Sequence, residues 1–300
     1  MAGPEVGRGI ALARAALAGN PSDGYHGAVL ASTFREQFAQ ASARRSPSPQ
    51  LEVTPASDLV QATVRRFARE LAPGAPPAAV QWETSIPRAV GLGGSSAIVI
   101  ATLRALCELH GIVLEEAGLA SQALAVEQQE LDIAAGLQDR VAQAFGGVTF
   151  MNFACGAQRR YEQLDPRLLP TLLIAWRADA AGDSGAVHRS LQARFARGDP
   201  GLRAGMADLA DLALRARTAL LRGDRDRFAL CVQGSFEARR RMMALDPRHV
   251  EMISIACRCG ASANYTGSGG AIVAVCHDPQ HRAGVADALR AGGCETILPS

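Results

Sequence analysis

The sequence predicts a mixed α/β protein, on three observations. Strand-like and helix-like stretches alternate along 300 residues with no internal repeat. Hydrophobic residues make up 48% and charged residues 20%, enough for one large core or two ordinary ones and too apolar for disorder. Two Gly/Ser-rich loops, at 91–96 and 266–270, open directly onto apolar elements.

The composition of residues 10–19 allows helix or strand, and the dense turn signal Asn20-Pro21-Ser22-Asp23-Gly24 stops either. Residues 25–38 read as strand and 41–50, with Ser, Pro and Arg, as a surface loop. Asp58 caps a helix to about Leu71, since Leu59, Val60, Thr63, Val64 and Phe67 fall at helical spacing. Pro73 to Pro77 ends it, and Val80–Thr84 alternates like a strand. An apolar helix follows the first glycine loop and closes at Gly111. Residues 115–145 are helical with a break near Ala135-Gly136, and Gly146-Gly147 turns into a strand at 148–153. Leu172–Trp176 and Ala271–Cys276 read as buried strands. Helices fill 186–243, broken at Gly198–Gly201 and Gly223; a helix at 281–291 and a terminal strand complete the chain. Asp165–Pro170 is the expected domain boundary, giving domains of 1–168 and 169–300.

Bulk properties exclude several classes of function. A net charge of +2 argues against nucleic acid or membrane binding by bulk attraction. All 31 basic residues are arginine, so lysine Schiff-base and lysine general-base chemistry are unavailable. Seven scattered cysteines do not form a disulfide framework, and Cys257-Arg-Cys259 lacks zinc-site spacing. With no apolar run of membrane-span length, the expectation is a cytoplasmic enzyme.

The loop from Pro87 through Gly91-Leu92-Gly93-Gly94-Ser95-Ser96-Ala97 suits a polyphosphate. Glycines let backbone N–H groups point at an anion, and the helix start adds unpaired donors and partial positive charge. A serine hydroxyl there can reach a phosphate-bound Mg²⁺. The loop lacks the lysine of a P-loop and the glycine spacing of a dinucleotide fingerprint; alone it is equally a tight turn with a serine cap. The segment Thr266-Gly267-Ser268-Gly269-Gly270 is alone a β-turn, but two such loops can close on one ligand. Glu127 and Asp139 are candidates for a metal ligand and for a carboxylate beside an acceptor hydroxyl, against the ordinary reading of solvated helix charges. Asn20, Asp23 and His26 on a turn suit sugar hydroxyls, and are also common turn formers.

Taken together these segments resemble the GHMP small-molecule kinases. The resemblance rests on Arg14 through Gly24, Pro87 through Ala97, Gly136-Leu-Gln-Asp139 and Tyr265 through Gly270, in that order. Within the family, Gly19 through Tyr25, Ala135 through Val141, Asp183-Ser-Gly-x-Val-His188 and Thr266 through Gly270 look like glucuronokinases. The resemblance implies a mixed-sheet N-terminal domain, a ferredoxin-like C-terminal domain, and ATP and sugar meeting between them. It implies that Pro87, Gly91–Ala97 and Thr266–Gly269 hold ATP, with Ser96 and Glu127 on Mg²⁺. Asp139 with Arg14 would be catalytic, Arg14 lying near Asp139. Asn20, Asp23, Gly24 and Arg140 would hold the sugar. Arg140, Arg189 and Arg194 are candidates for a uronate carboxylate. Asn264 stands where relatives often carry lysine. Galactokinase, heptose kinase and fucose kinase are alternative activities, and a ligand sensor or nucleotide-binding scaffold on this fold would lack catalysis.

Overall fold

The computed structural model describes residues 4–48, 51–154, 160–180 and 184–299. The chain forms two compact units, one of Met1–Ala13, Arg35–Ile86 and Gly93–Gly146, the other of Arg14–Phe34, Pro87–Leu92 and Gly147–Ser300. Strands β1 (Val6–Ala18) and β2 (Ala28–Arg45) each contribute to both.

In the first unit, the C-terminal part of β2 pairs antiparallel with β4 (Ala78–Thr84), from Ala39 opposite Thr84 to Arg45 opposite Ala78. The short strand β3 (Glu52–Thr54) runs parallel to β4. Strand β2 therefore extends to Arg45, into the segment expected to be loop. Alanine and serine signal strands weakly, but Ala39, Ala41 and Ala43 alternate into the core while β4 satisfies the backbone. Residues 49–50 of that expected loop lie outside the described residues.

Helix α1 (Asp58–Glu70) is capped by Ser57, whose side chain accepts from the Val60 N–H, one residue earlier than expected. Asp58 instead sits in the first turn, where the helix dipole favours its charge. Helix α2 (Gly94–His110) lies directly on β1: a Cβ on Gly9 would stand 2.0 Å from the Ala101 carbonyl. Gly111 closes α2 in the left-handed conformation, as its position predicts. Helix α3 (Glu116–Ala125) runs into one π-helical turn, Val126–Glu130, before α4 (Gln138–Phe145). The helical break thus comes earlier than Ala135, because Asp132 is left-handed (φ 52°) and the Ile133 N–H turns back to the Glu127 carbonyl at 2.8 Å.

In the second unit, the N-terminal part of β2 pairs antiparallel with β5 (Val148–Asn152), and β5 with β6 (Arg160–Leu164). The remainder runs β7 (Thr171–Trp176), α5 (Ser184–Ala196), α6 (Pro200–Leu221), α7 (Arg225–Met242), α8 (Pro247–Arg258), β8 (Ser262–Tyr265), β9 (Ala271–Cys276), α9 (Pro279–Ala291) and β10 (Glu295–Ile297). Its antiparallel sheet has the order β10-β7-β9-β8. With helices between β7 and β8 and between β9 and β10, this is the ferredoxin-like pattern that the resemblance implies. Leu173, Ala175, Ile272 and Ala274 of the sheet meet Met252, Ile253, Val285 and Leu289 of the helices in one core. A smaller core joins Leu202, Met206 and Leu209 of α6 to Ala238 and Met242 of α7.

The strands β3, β6 and β8 and the helix α8 go beyond the sequence reading. The start of α8 was nonetheless written in the sequence: Asp199-Pro200, Asp246-Pro247 and Asp278-Pro279 each place a capping aspartate before a proline at the first helical position. No helix among the described residues is long and apolar enough to cross a membrane, and no group of three His, Cys, Asp or Glu among them is placed to hold a metal ion.

Candidate active site

Two polar constellations occupy the expected positions, one in each unit. In the first unit the glycine loop enters α2 through Gly93, left-handed at φ 76°, which turns the first free N–H groups of the helix outward. Ser95 and Ser96 follow, and their hydroxyls go to different places. Ser95 Oγ donates to Glu127 Oε1 at 2.8 Å. Ser96, fully buried, donates to Gln143 Oε1 at 2.5 Å and to the Gly93 carbonyl at 3.1 Å. Gln143 Nε2 in turn donates to the Gly93 and Leu12 carbonyls at 2.9 and 2.8 Å. Ser96 therefore braces the loop from inside, while Ser95 stands with the acid.

The π-helical turn carries Glu127, whose side chain is fully buried. Such turns occur often at functional sites, because they aim a side chain that a regular helix would rotate away. Glu127 Oε2 accepts from Arg140 Nε at 2.7 Å and also from Arg140 Nη2. Arg140 Nη1 donates to the Gly136 carbonyl at 2.7 Å. Arg140 is thus a buried partner of Glu127. Asp139, next to it in the first turn of α4, is one-fifth exposed, accepts from Gln138 Nε2 at 2.5 Å and lies 3.7 Å from Arg140 Nη1. A helix start and an adjacent guanidinium both stabilise a negative charge there.

In the second unit, the two glycine segments meet. Arg14, buried on β1, donates through Nη1 to the Gly91 carbonyl at 2.7 Å and to the Thr266 carbonyl at 2.6 Å. Thr266 Oγ1 donates to the Gly91 carbonyl at 2.9 Å. Contact is so close that a Cβ on Gly91, at φ 79°, would stand 2.6 Å from the Gly269 carbonyl. Pro87 and Leu92 flank this junction in sequence, and Ser268 sits on its partly exposed side. Arg14 and Asp139 belong to different units.

The turn expected to hold a sugar is a 3₁₀ turn, Ser22–Tyr25, bearing Asp23 and the exposed Gly24. Asn20 is buried, and its Oδ1 accepts from Arg239 Nη1 at 2.9 Å. Sequence reading missed Arg239; one arginine among 31 on a helix carries no local signal. Of the other arginines considered, Arg194 pairs with Asp199 and donates to the Met242 carbonyl, and Arg189 is exposed on α5. Asp183, from the Asp183–His188 segment, lies outside the described residues. Asn264 faces inward, its Nδ2 donating to the Leu17 carbonyl at 3.2 Å.

A loop-to-helix anion cradle with an acid at its hydroxyl, joined in sequence to a second glycine loop, belongs to a phosphotransferase class, and the comparisons place the chain in it. The chain belongs to the GHMP kinase superfamily: the family model for the GHMP kinases N terminal domain matches residues 58–147, and the likeness to curated family members spans most of the chain. It is an ATP-dependent kinase of that superfamily. It is 32% identical to Glucuronokinase 1 of Arabidopsis thaliana over 303 residues, covering 88% of this chain and 83% of that protein. In fold it is similar to Lactococcus lactis galactokinase complexed with galactose, at TM-score 0.81 and 16% identity over 99% and 93% of the two chains. It is likewise similar to L. major mevalonate kinase in complex with R-mevalonate, at TM-score 0.78 and 17% identity over 98% and 96%.

Proposed function

We propose that this kinase transfers the γ-phosphoryl group of ATP to the anomeric hydroxyl of D-glucuronate. The carrying observation is the 32% identity to Glucuronokinase 1 along 88% of the chain. The N–H groups at the start of α2, with Pro87, Gly91, Leu92, Gly94 and Ala97 shaping the loop, cradle the phosphates, and Thr266, Gly267, Ser268 and Gly269 are the second ATP-binding loop. Arg14 sets the spacing of the two loops through its bonds to Gly91 and Thr266, and its charge opposes that of the phosphates. Asp139 aligns the acceptor hydroxyl and takes its proton; a loose transition state asks more of alignment than of basicity. Asn20 and Asp23 hold polar groups of the sugar, with Gly24 at the rim. The working division between a phosphate-binding N-terminal part and a C-terminal part at Leu168/Leu169 belongs to the same proposal.

The donor set fits Mg²⁺. Ser95 Oγ and Glu127 Oε1, 2.8 Å apart, are a hydroxyl and a carboxylate oxygen, the hard donors that would hold Mg²⁺. One carboxylate and one hydroxyl suffice when phosphate oxygens complete the shell. Bound there, the ion supplies charge neutralisation at the phosphates. We assign this role to Ser95 with Glu127, and to Ser96 the bracing of the loop through Gln143. Ser95→Ala is therefore expected to raise the Mg²⁺ concentration for half-maximal activity about tenfold, with a fall in Tm because buried Glu127 Oε1 loses its hydroxyl donor. Ser96→Ala is expected to cost ~1–3 kcal/mol of stability, the worth of a buried polar contact, seen as a lowered Tm, and to leave the Mg²⁺ midpoint nearly fixed. Activity titrations with Mg²⁺, read beside thermal melts of both variants, separate the two; a shifted midpoint in Ser96→Ala alone reverses the assignment.

Free sugars offered with ATP and scored by ADP release test the reading directly. Turnover on D-glucuronate with none on galactose is expected. Turnover on galactose or a heptose with none on glucuronate ends the proposal.

A further inference from the structure

Arg239 is a buried cation with no anion beside it among the described residues. It is 1% exposed on α7, and among the described residues no carboxylate pairs with it. Its partners are Asn20 Oδ1 at 2.9 Å, the Asn20 carbonyl at 3.5 Å and the face of Tyr265, 5.0 Å from the ring centroid. Arg239 Nε and the Tyr265 hydroxyl are buried with no hydrogen-bond partner among the described residues. Arginine is almost never fully buried unless paired, because its charge loses hydration that only an anion or a full set of acceptors replaces. Burial, partly opposed by Tyr265 and aided by the like charge of Arg14, pushes its pKa down to about 10, so it stays protonated near neutral pH. The contact also fixes the Asn20 amide. Its oxygen must face the guanidinium, so its Nδ2 donors face away, and they meet no acceptor among the described residues.

We propose that Arg239 is the positioning residue that makes this site prefer an acidic sugar: it turns the Asn20 amide donors toward the substrate carboxylate and supplies the positive charge that the carboxylate balances. This rests on the uronate reading above. The carboxylate accepts from Asn20 Nδ2, and the guanidinium behind the amide sees it across a low-dielectric interior where charge acts at longer range. A neutral sugar leaves the cation unbalanced.

The readout is the ratio of kcat/KM for D-glucuronate to that for D-glucose, which differs by carrying a CH₂OH in place of the carboxylate, together with Tm. Arg239→Met is expected to lower that ratio about 10- to 100-fold, mainly through KM for glucuronate. Tm is expected to hold or rise, because an apolar side chain replaces an unpaired buried charge. Asn20→Asp gives a second, independent variant: the new carboxylate pairs with Arg239 internally, raising Tm while KM for glucuronate rises at least about tenfold. Arg239→Lys, which keeps the charge, is expected to retain part of the ratio. A merely structural contact lowers both sugars alike and lowers Tm. Wild-type turnover on glucuronate with a ratio unmoved in Arg239→Met and Asn20→Asp overturns this inference and leaves the uronate reading standing; wild type inert on glucuronate overturns both.

Discussion

Asp139→Asn is expected to reduce kcat by about 10²- to 10⁴-fold, the usual yield of a positioned proton acceptor, while KM for ATP and Tm stay near those of the wild type. The substitution preserves shape and removes only charge and basicity. Asp139 is one-fifth exposed, and Arg140, 3.7 Å away, is principally engaged with Glu127. On the proposed mechanism catalysis depends on Asp139. The acceptor hydroxyl must lose a proton as the phosphoryl group arrives, and the asparagine amide offers no second lone-pair site free of its own NH₂ group. Gln138 adds to the effect: its Nε2 donates to Asp139 Oδ1 at 2.5 Å, and it would hold the asparagine oxygen there, leaving the NH₂ to face the acceptor. Steady-state kinetics with ATP and glucuronate, read beside a thermal melt, check the result. Near-normal kcat in a folded variant removes Asp139 from the reaction.

Much of this site was legible because its parts are local. A glycine loop running into an apolar helix, a left-handed Gly93 and the Gly111 cap follow from residue chemistry over a few positions. So does the second loop, since Gly269 and Gly270 need backbone conformations other residues avoid. What stayed hidden depends on tertiary partners. Which of two adjacent serines meets Glu127 is decided by the π-helical turn that aims the acid and by Gln143 occupying the other hydroxyl. Arg140 is a candidate because an arginine fork suits a carboxylate; the carboxylate that it meets in α4's packing is that of Glu127. Arg239 lies 219 residues from Asn20, a pairing no local pattern reports. The fold shows the same division. Strand β2 beyond residue 38 is built from alanine, serine, glutamine and arginine, and only β4 beside it makes that stretch a strand.

Arg140→Met is expected to cost about 3–5 kcal/mol of stability, the penalty for stranding a buried charge, and to lower Tm by roughly 10 °C. Glu127 is fully buried with both oxygens engaged, Oε1 by Ser95 and Oε2 twice by Arg140. Removing the guanidinium leaves the carboxylate one neutral hydroxyl donor, which does not replace its lost hydration. The double variant Glu127→Leu/Arg140→Met is expected to recover most of the loss, since two apolar side chains of similar volume need no partner. Activity is not expected to return with it, because the double variant lacks the carboxylate assigned to Mg²⁺. That pattern separates two roles for Arg140. A residue that grips the sugar raises KM for glucuronate when removed and leaves unfolding unchanged; a residue that holds Glu127 lowers the unfolding midpoint in a way a second substitution reverses. Urea and thermal unfolding of the two single variants and the double variant form a complete cycle. Wild-type stability in Arg140→Met returns Arg140 to the substrate side of the site.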